Sequence, residues 1–137
     1  MTTTLIITVG LTALAALDVA LTRLRLGGSR GMAGRLSIPT GLLNVHTVAG
    51  CAALFVWAVF LATGPAVLGL VGLVLWWVTA VAGLLILARW LPAHGRHSSG
   101  PVKDSWLDGG PGLSLLAHLG LVGGAVVFTT YWWAGWI

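Results

Sequence analysis

Charged side chains are scarce in this sequence: 7% of its 137 residues are Asp, Glu, Lys or Arg, and glutamate does not occur. A soluble domain carries about 25% charged residues. Hydrophobic residues make up 58% of the chain, so the composition predicts an integral membrane protein with a single domain over residues 1–137. Ordinary hydrolytic chemistry needs a set of polar side chains that this composition does not offer, and no catalytic residue is predicted.

Cysteine is nearly absent as well, since Cys51 is the one cysteine of the sequence. A single thiol excludes an intrachain disulfide and any metal site built from several cysteines. Cys51 follows Gly50 in an apolar run, and we expect it to be a small buried residue. The sequence also lacks a nucleotide-binding loop and the HExxH pattern of metalloproteases.

Four apolar runs are long enough to cross a bilayer, which takes about 20 mostly apolar residues per helix. The turn at 62–65, Ala-Thr-Gly-Pro, separates the second run from the third, and so short a connection makes these two helices antiparallel neighbours. The predicted spans are 4–22, 40–62, 66–90 and 111–133, with longer loops at 23–39 and 91–110. The sequence therefore predicts an all-α integral membrane four-helix bundle.

All seven basic residues fall in the two longer loops or at their borders. They are Arg23, Arg25, Arg30, Arg35, Arg89, Arg96 and Lys103. Because positively charged loops stay on the cytoplasmic side, both loops are predicted to be cytoplasmic and both termini to lie outside. We expect a multi-pass protein of the cell membrane. The net charge of +4 comes from these loop residues, which set the orientation in the membrane. Nucleic acid is therefore not expected as a partner.

Two histidines occupy matching places in the second and fourth spans. Pro39 and His46 recur as Pro111 and His118, 72 residues later, which is compatible with a parallel repeat of two helical hairpins. At 1.5 Å per residue, each histidine lies roughly 10 Å past the start of its helix. Asp18 lies roughly 6 Å from the inner end of the first span. Ionisable groups inside a membrane are energetically costly, so all three are candidates for a functional site.

Two facing imidazoles suit the two axial positions of a haem iron. Small residues beside each histidine would leave room for the flat macrocycle. Gly50 and Ala53 lie on the His46 face of the second helix, and Ala125 follows His118 on the fourth. We therefore predict His46 and His118 as metal ligands, with these three small residues around the cofactor.

Charged residues near the cytoplasmic surface complete the predicted site. Arg35 and Arg89 would pair with the haem propionates. Asp18 would accept a hydrogen bond from the second nitrogen of a ligating imidazole. Alternatively, Asp18 forms an ion pair with Arg23 or Arg89, and Asn44 hydrogen bonds to a neighbouring helix.

The stretches HTVAG at 46–50 and AHLGLVGGA at 117–125 resemble the histidine helices of membrane-embedded b-type cytochromes, including the cytochrome b561-like four-helix group. The resemblance covers these two helices only. It implies one haem b between helices 2 and 4, since two-haem members need four membrane histidines. It also implies electron transfer between a quinol or a partner subunit and an acceptor.

Other functions fit the same residues. The histidines can instead hydrogen bond between helices, in which case the protein would be a non-catalytic accessory subunit of a transporter or a respiratory assembly. A small-solute carrier would need several copies of the chain, because four helices rarely enclose a path. His94 and His97 lie in a Gly-, Ser- and Pro-rich loop, where a mobile linker is expected in place of a metal site.

Overall fold

The computed structural model describes residues 3–26, 32–33, 36–88 and 111–137. Its four helices are α1 (Thr3–Leu26), α2 (Thr40–Thr63), α3 (Ala66–Leu87) and α4 (Pro111–Trp133). Each of them contains a stretch long and apolar enough to cross a membrane. The predicted all-α fold with four membrane-compatible helices is therefore confirmed.

The helix bounds agree closely with the predicted spans. Both α2 and α4 match theirs to within one residue, whereas α1 continues to Leu26, beyond its predicted end at residue 22. The chain then forms a short antiparallel pair, β1 (Met32–Ala33) and β2 (Leu36–Ser37). Strands of two residues carry no recognisable periodicity, so the sequence gives no sign of this pair within the loop at 23–39.

A tight turn joins α2 to α3. Gly64 adopts φ +84°, which is favourable only for a residue without a side chain. Its N–H donates to the carbonyl of Phe60 at 2.8 Å, so one of the last carbonyl groups of α2 has a hydrogen-bond partner. Pro65 follows and cannot continue the helix, and α3 begins at the next residue.

The helices form an up-and-down bundle in which α1 and α3 each pack against both α2 and α4. As a result, α2 and α4 lie diagonally across the centre. Contacts at different levels show that neighbouring helices are antiparallel, so α2 and α4 run in the same direction. These contacts are Trp57–Gly72 and His46–Thr79 between α2 and α3, and Trp132–Gly69 and His118–Gly83 between α4 and α3.

Large aromatic side chains fill one half of the bundle interior. Trp57 packs against Phe128 and Phe60 with ring centroids 4.9 and 5.2 Å apart, and Trp76 lies 5.9 Å from Phe128. Gly72 makes room for Trp57, because a Cβ there would lie 2.9 Å from the indole. This cluster fixes the spacing of the helices next to the two histidines.

The expected burial of Cys51 is wrong, because its side chain is exposed on the bundle surface. The buried positions of α2 include His46, Gly50, Ala53 and Trp57, which recur every three or four residues and form one stripe. Cys51 lies one position after Gly50 and therefore about 100° away from that stripe. Val48 and Phe55, three and four positions away on the same side of α2, are also strongly exposed and would face lipid.

Candidate metal centre

Two imidazoles meet at the centre of the bundle. The ring centroids of His46 and His118 lie 6.0 Å apart, and the ring planes are inclined by 26°. His46 is completely buried and His118 is 2% exposed. The diagonal placement of parallel α2 and α4 thus brings the two rings together at one level.

The orientation of the His46 ring is set by α3. Its Nδ1 lies 3.0 Å from the carbonyl oxygen of Thr79. A carbonyl only accepts hydrogen bonds, so Nδ1 must donate, and the lone pair of the neutral ring is on Nε2. Among the described residues, the buried Nε2 has no hydrogen-bond partner. Metal-binding histidines are commonly held in this way, with one nitrogen anchored and the other available.

Gly83 allows α3 to approach both imidazoles closely. A Cβ at this position would lie 2.5 Å from Cδ2 of His118 and 3.3 Å from Cε1 of His46. One turn earlier, the Thr79 hydroxyl donates to the Leu75 carbonyl of its own helix at 2.8 Å. The sequence analysis missed both α3 residues, because Thr79 contributes a backbone atom and Gly83 is one of 20 glycines.

Asp18 of α1 adds a third candidate ligand to the histidine pair. Each of these side chains offers one ligand atom, and the three atoms lie within 4.8 Å of one another. They belong to Asp18, His46 and His118. The aspartate is 9% exposed, and its buried Oδ2 has no hydrogen-bond partner in the part of the chain that the structure describes. The Arg23 guanidinium instead donates to Oδ1 of Asn44 at 3.0 Å, which confirms the expected bond from Asn44 to a neighbouring helix.

The other predicted cofactor residues have different surroundings. The space beside Gly50 is filled by Val19 and Thr79, whose nearest atoms would lie 2.7 and 3.3 Å from an added Cβ. Ala53 is buried in the aromatic core, and Ala125 lines a cavity between α1 and α4. Arg35, Arg89, His94 and His97 lie outside the described residues.

The three ligands suit a single metal ion. Metal–nitrogen and metal–carboxylate bonds are about 2.1 Å long, so two ligand atoms on one ion lie at most about 4.2 Å apart. Side-chain adjustments of less than about 1 Å per atom would therefore bring all three to one ion. Two histidines and one carboxylate with open positions are typical of non-haem iron(II) sites, and imidazole also suits zinc and copper.

The imidazole pair by itself also suits a haem iron. Metal–nitrogen bonds of about 2.1 Å would place two coaxial ring centroids roughly 6 Å apart. The observed centroid distance of 6.0 Å fits this value, whereas the two rings are stacked with their planes inclined by 26°. A macrocycle additionally needs space on all sides of the iron. The cavity beside Gly124 and Ala125 supplies it next to α1 and α4, whereas the Gly83 backbone occupies the side next to α3. The surroundings therefore fit the macrocycle on one side only.

The glycine at 83 offers a direct test of this packing. We expect Gly83→Ala to lower metal occupancy at least tenfold, because the new methyl group displaces the His118 ring and ligand orientation controls affinity. Bound metal per chain, measured by elemental analysis of the purified protein, gives the result. Gly10→Ala is the control, since it makes the same change in a helix where nothing lies within 4 Å. Equal occupancy in the two variants would contradict the inferred role of Gly83.

Comparisons with known proteins identify no relative: no protein-family model, no curated protein and no solved structure matches the chain. The resemblance to b-type cytochromes thus depends on the two histidine stretches alone.

Proposed function

We propose that this protein holds one redox-active metal centre inside the membrane, with His46, His118 and Asp18 as ligands, and that it serves electron transfer. The observation that supports the proposal is the convergence of three ionisable side chains from three helices, all within 4.8 Å. Burial of such groups in a membrane is costly, and their common use is a functional site. The anchored ring of His46 adds a ligand already set in its binding orientation.

A non-haem iron ion is the form of the centre that the geometry supports best. The His₂Asp ligand set is typical of iron(II), and all three ligands are used without a movement of the helices. The apolar walls around the site exclude water, so an electron carrier there would be insulated from bulk solvent. When bound, the iron would supply the change of oxidation state, while the protein supplies the ligands and their orientation.

A haem b between α2 and α4 is the second candidate. The 6.0 Å distance between the imidazole centroids and the open cavity beside Gly124 support it. In this form His46 and His118 would be the axial ligands, and Asp18 would lie beside the macrocycle without touching the iron. Arg35 and Arg89 keep their predicted role as propionate partners in this form.

The orientation in the membrane follows from charge. We place the Arg-rich loops in the cytoplasm and both termini outside the cell membrane by the positive-inside rule. The metal centre then lies in the cytoplasmic half of the bilayer, in a bundle of two similar hairpins. Quinol or a partner membrane subunit is the proposed source or acceptor of electrons.

Asp18→Asn distinguishes the two forms of the centre. The full chain is produced with ample iron and haem supply, and both metal content and the reduced-minus-oxidised spectrum are recorded. For the ion, we expect Asp18→Asn to lower bound iron at least tenfold, because the neutral amide is a weak ligand for a hard cation. For the haem, the b-type α band persists in this variant.

Thr22→Val is the matched control, since Thr22 is a buried polar residue one turn further along α1 and is not a ligand. It should behave like the unmodified protein in both measurements. A protein that carries neither iron nor haem under these conditions would contradict the proposal and favour the accessory-subunit hypothesis.

A further inference from the structure

A cavity of about 470 Å³ lies between α1 and α4, a size in the range of sites for small organic ligands. Its walls are almost entirely apolar, apart from Asp18, Thr22 and His118. Gly120 and Gly124 of α4 contribute much of the free space, because nothing lies within 4 Å of where their side chains would be. Two of the three candidate metal ligands thus face the same cavity.

The polar groups occur at one end of this cavity. His118 and Phe128 both line it and are ten residues apart on α4, which corresponds to roughly 15 Å along the helix. On antiparallel α1, Asp18 lies at the His118 end and Leu11 towards the Phe128 end. The cavity therefore fits a molecule with a polar head and an apolar tail.

The cavity opens to the side of the bundle. Several lining residues are also strongly exposed: Leu14 is 63% exposed, Leu17 is 55% exposed and Leu116 is 70% exposed. A rim of leucines on a membrane-compatible helix pair faces the lipid tails, where a charged or water-soluble ligand would not be stable. Entry from the bilayer therefore selects lipid-soluble molecules.

We propose that this cavity binds the head group of an isoprenoid quinol, and this inference depends on the proposed metal centre beside it. Asp18 Oδ2 is buried without a hydrogen-bond partner among the described residues, and a carboxylate needs a donor there. A quinol hydroxyl supplies that donor, and its ring and tail fill the apolar remainder towards Phe128.

Filling the cavity at Gly124 tests the proposal without changing a metal ligand. Binding of a decyl-tailed benzoquinol to the full chain in detergent is measured by calorimetry, with empty micelles subtracted. We expect Gly124→Leu to weaken binding at least tenfold, because the new side chain enters the cavity. Gly120→Leu provides a second variant of the same kind, so a folding defect in one of them does not decide the result.

Gly123→Leu is the matched control, since Gly123 neighbours Gly124 but is exposed and does not line the cavity. Unchanged binding in Gly124→Leu, or no binding to the unmodified protein, overturns the proposal.

Metal content is measured in the same samples. If the protein contains no metal and still binds quinol in a way that Gly124→Leu weakens, the result would support the quinol site and refute the proposed redox function. Loss of a bound haem in Gly124→Leu would make the cavity a haem pocket and overturn the quinol site.

Discussion

Replacing His46 by alanine is expected to reduce bound metal from about one ion per chain to less than about a tenth. In the proposed centre His46 would supply a ligand whose lone pair is fixed on Nε2 by the hydrogen bond from Nδ1 to the Thr79 carbonyl. Alanine removes the ligand and leaves only His118 and Asp18, which cannot hold a transition metal against water. If the centre is a haem, the same change removes one axial ligand and the b-type spectrum.

Thr47→Ala is the control for this experiment. Thr47 follows His46 directly, and its hydroxyl donates to the Leu43 carbonyl of its own helix at 2.9 Å. We expect Thr47→Ala to retain full metal content, and circular dichroism should show the same helix content for both variants. Metal content at the unmodified level in His46→Ala would refute the assignment of His46 as a ligand.

Trp57→Ala is expected to destabilise the bundle by about 3 kcal/mol. Trp57 is completely buried and contacts Phe60, Phe128 and the backbone of Gly72. Within a bilayer the transfer of apolar surface from water contributes little between helices, so the loss comes mainly from packing and from the space left behind. The expected value therefore lies at the lower end of the range for buried tryptophan in soluble proteins.

Phe55→Ala on the same helix is the matched control, because Phe55 is 71% exposed and would face lipid. Its expected effect is within about 0.5 kcal/mol. Unfolding by sodium dodecyl sulfate in mixed micelles, followed by circular dichroism, measures both variants. Equal losses for Trp57→Ala and Phe55→Ala would show that the aromatic cluster does not hold the helices together.

The helices were predictable because length, hydropathy and breakers act locally. The Gly64–Pro65 turn marks the α2–α3 boundary in the sequence, and the structure places it there. The end of α1 was less predictable, because Arg23 and Leu24 continue the helix after the apolar run has finished. Long basic side chains can extend to the polar surface from such positions, so charge alone does not end a helix.

Part of the candidate site was also predictable. His46 and His118 stand out because ionisable residues are rare in these spans. Each follows a proline by seven residues, which predicts the same depth in the membrane for both. The contributions of Thr79 and Gly83 were not predictable, since a backbone carbonyl has no sequence signature and a missing side chain matters only once its neighbours are known. Asp18 was expected beside an imidazole, whereas its approach to both histidines within 4.8 Å depends on how α1 packs.

The three candidate ligands are distributed over α1, α2 and α4, and this distribution constrains how the site can assemble. His118 follows Asp18 and His46 along the chain, so the proposed ligand set is incomplete until α4 has packed against the other three helices. If the proposed centre forms, its metal would be bound only once all four helices have assembled. A chain truncated before α4 would keep Asp18 and His46 and would still lack the complete candidate site.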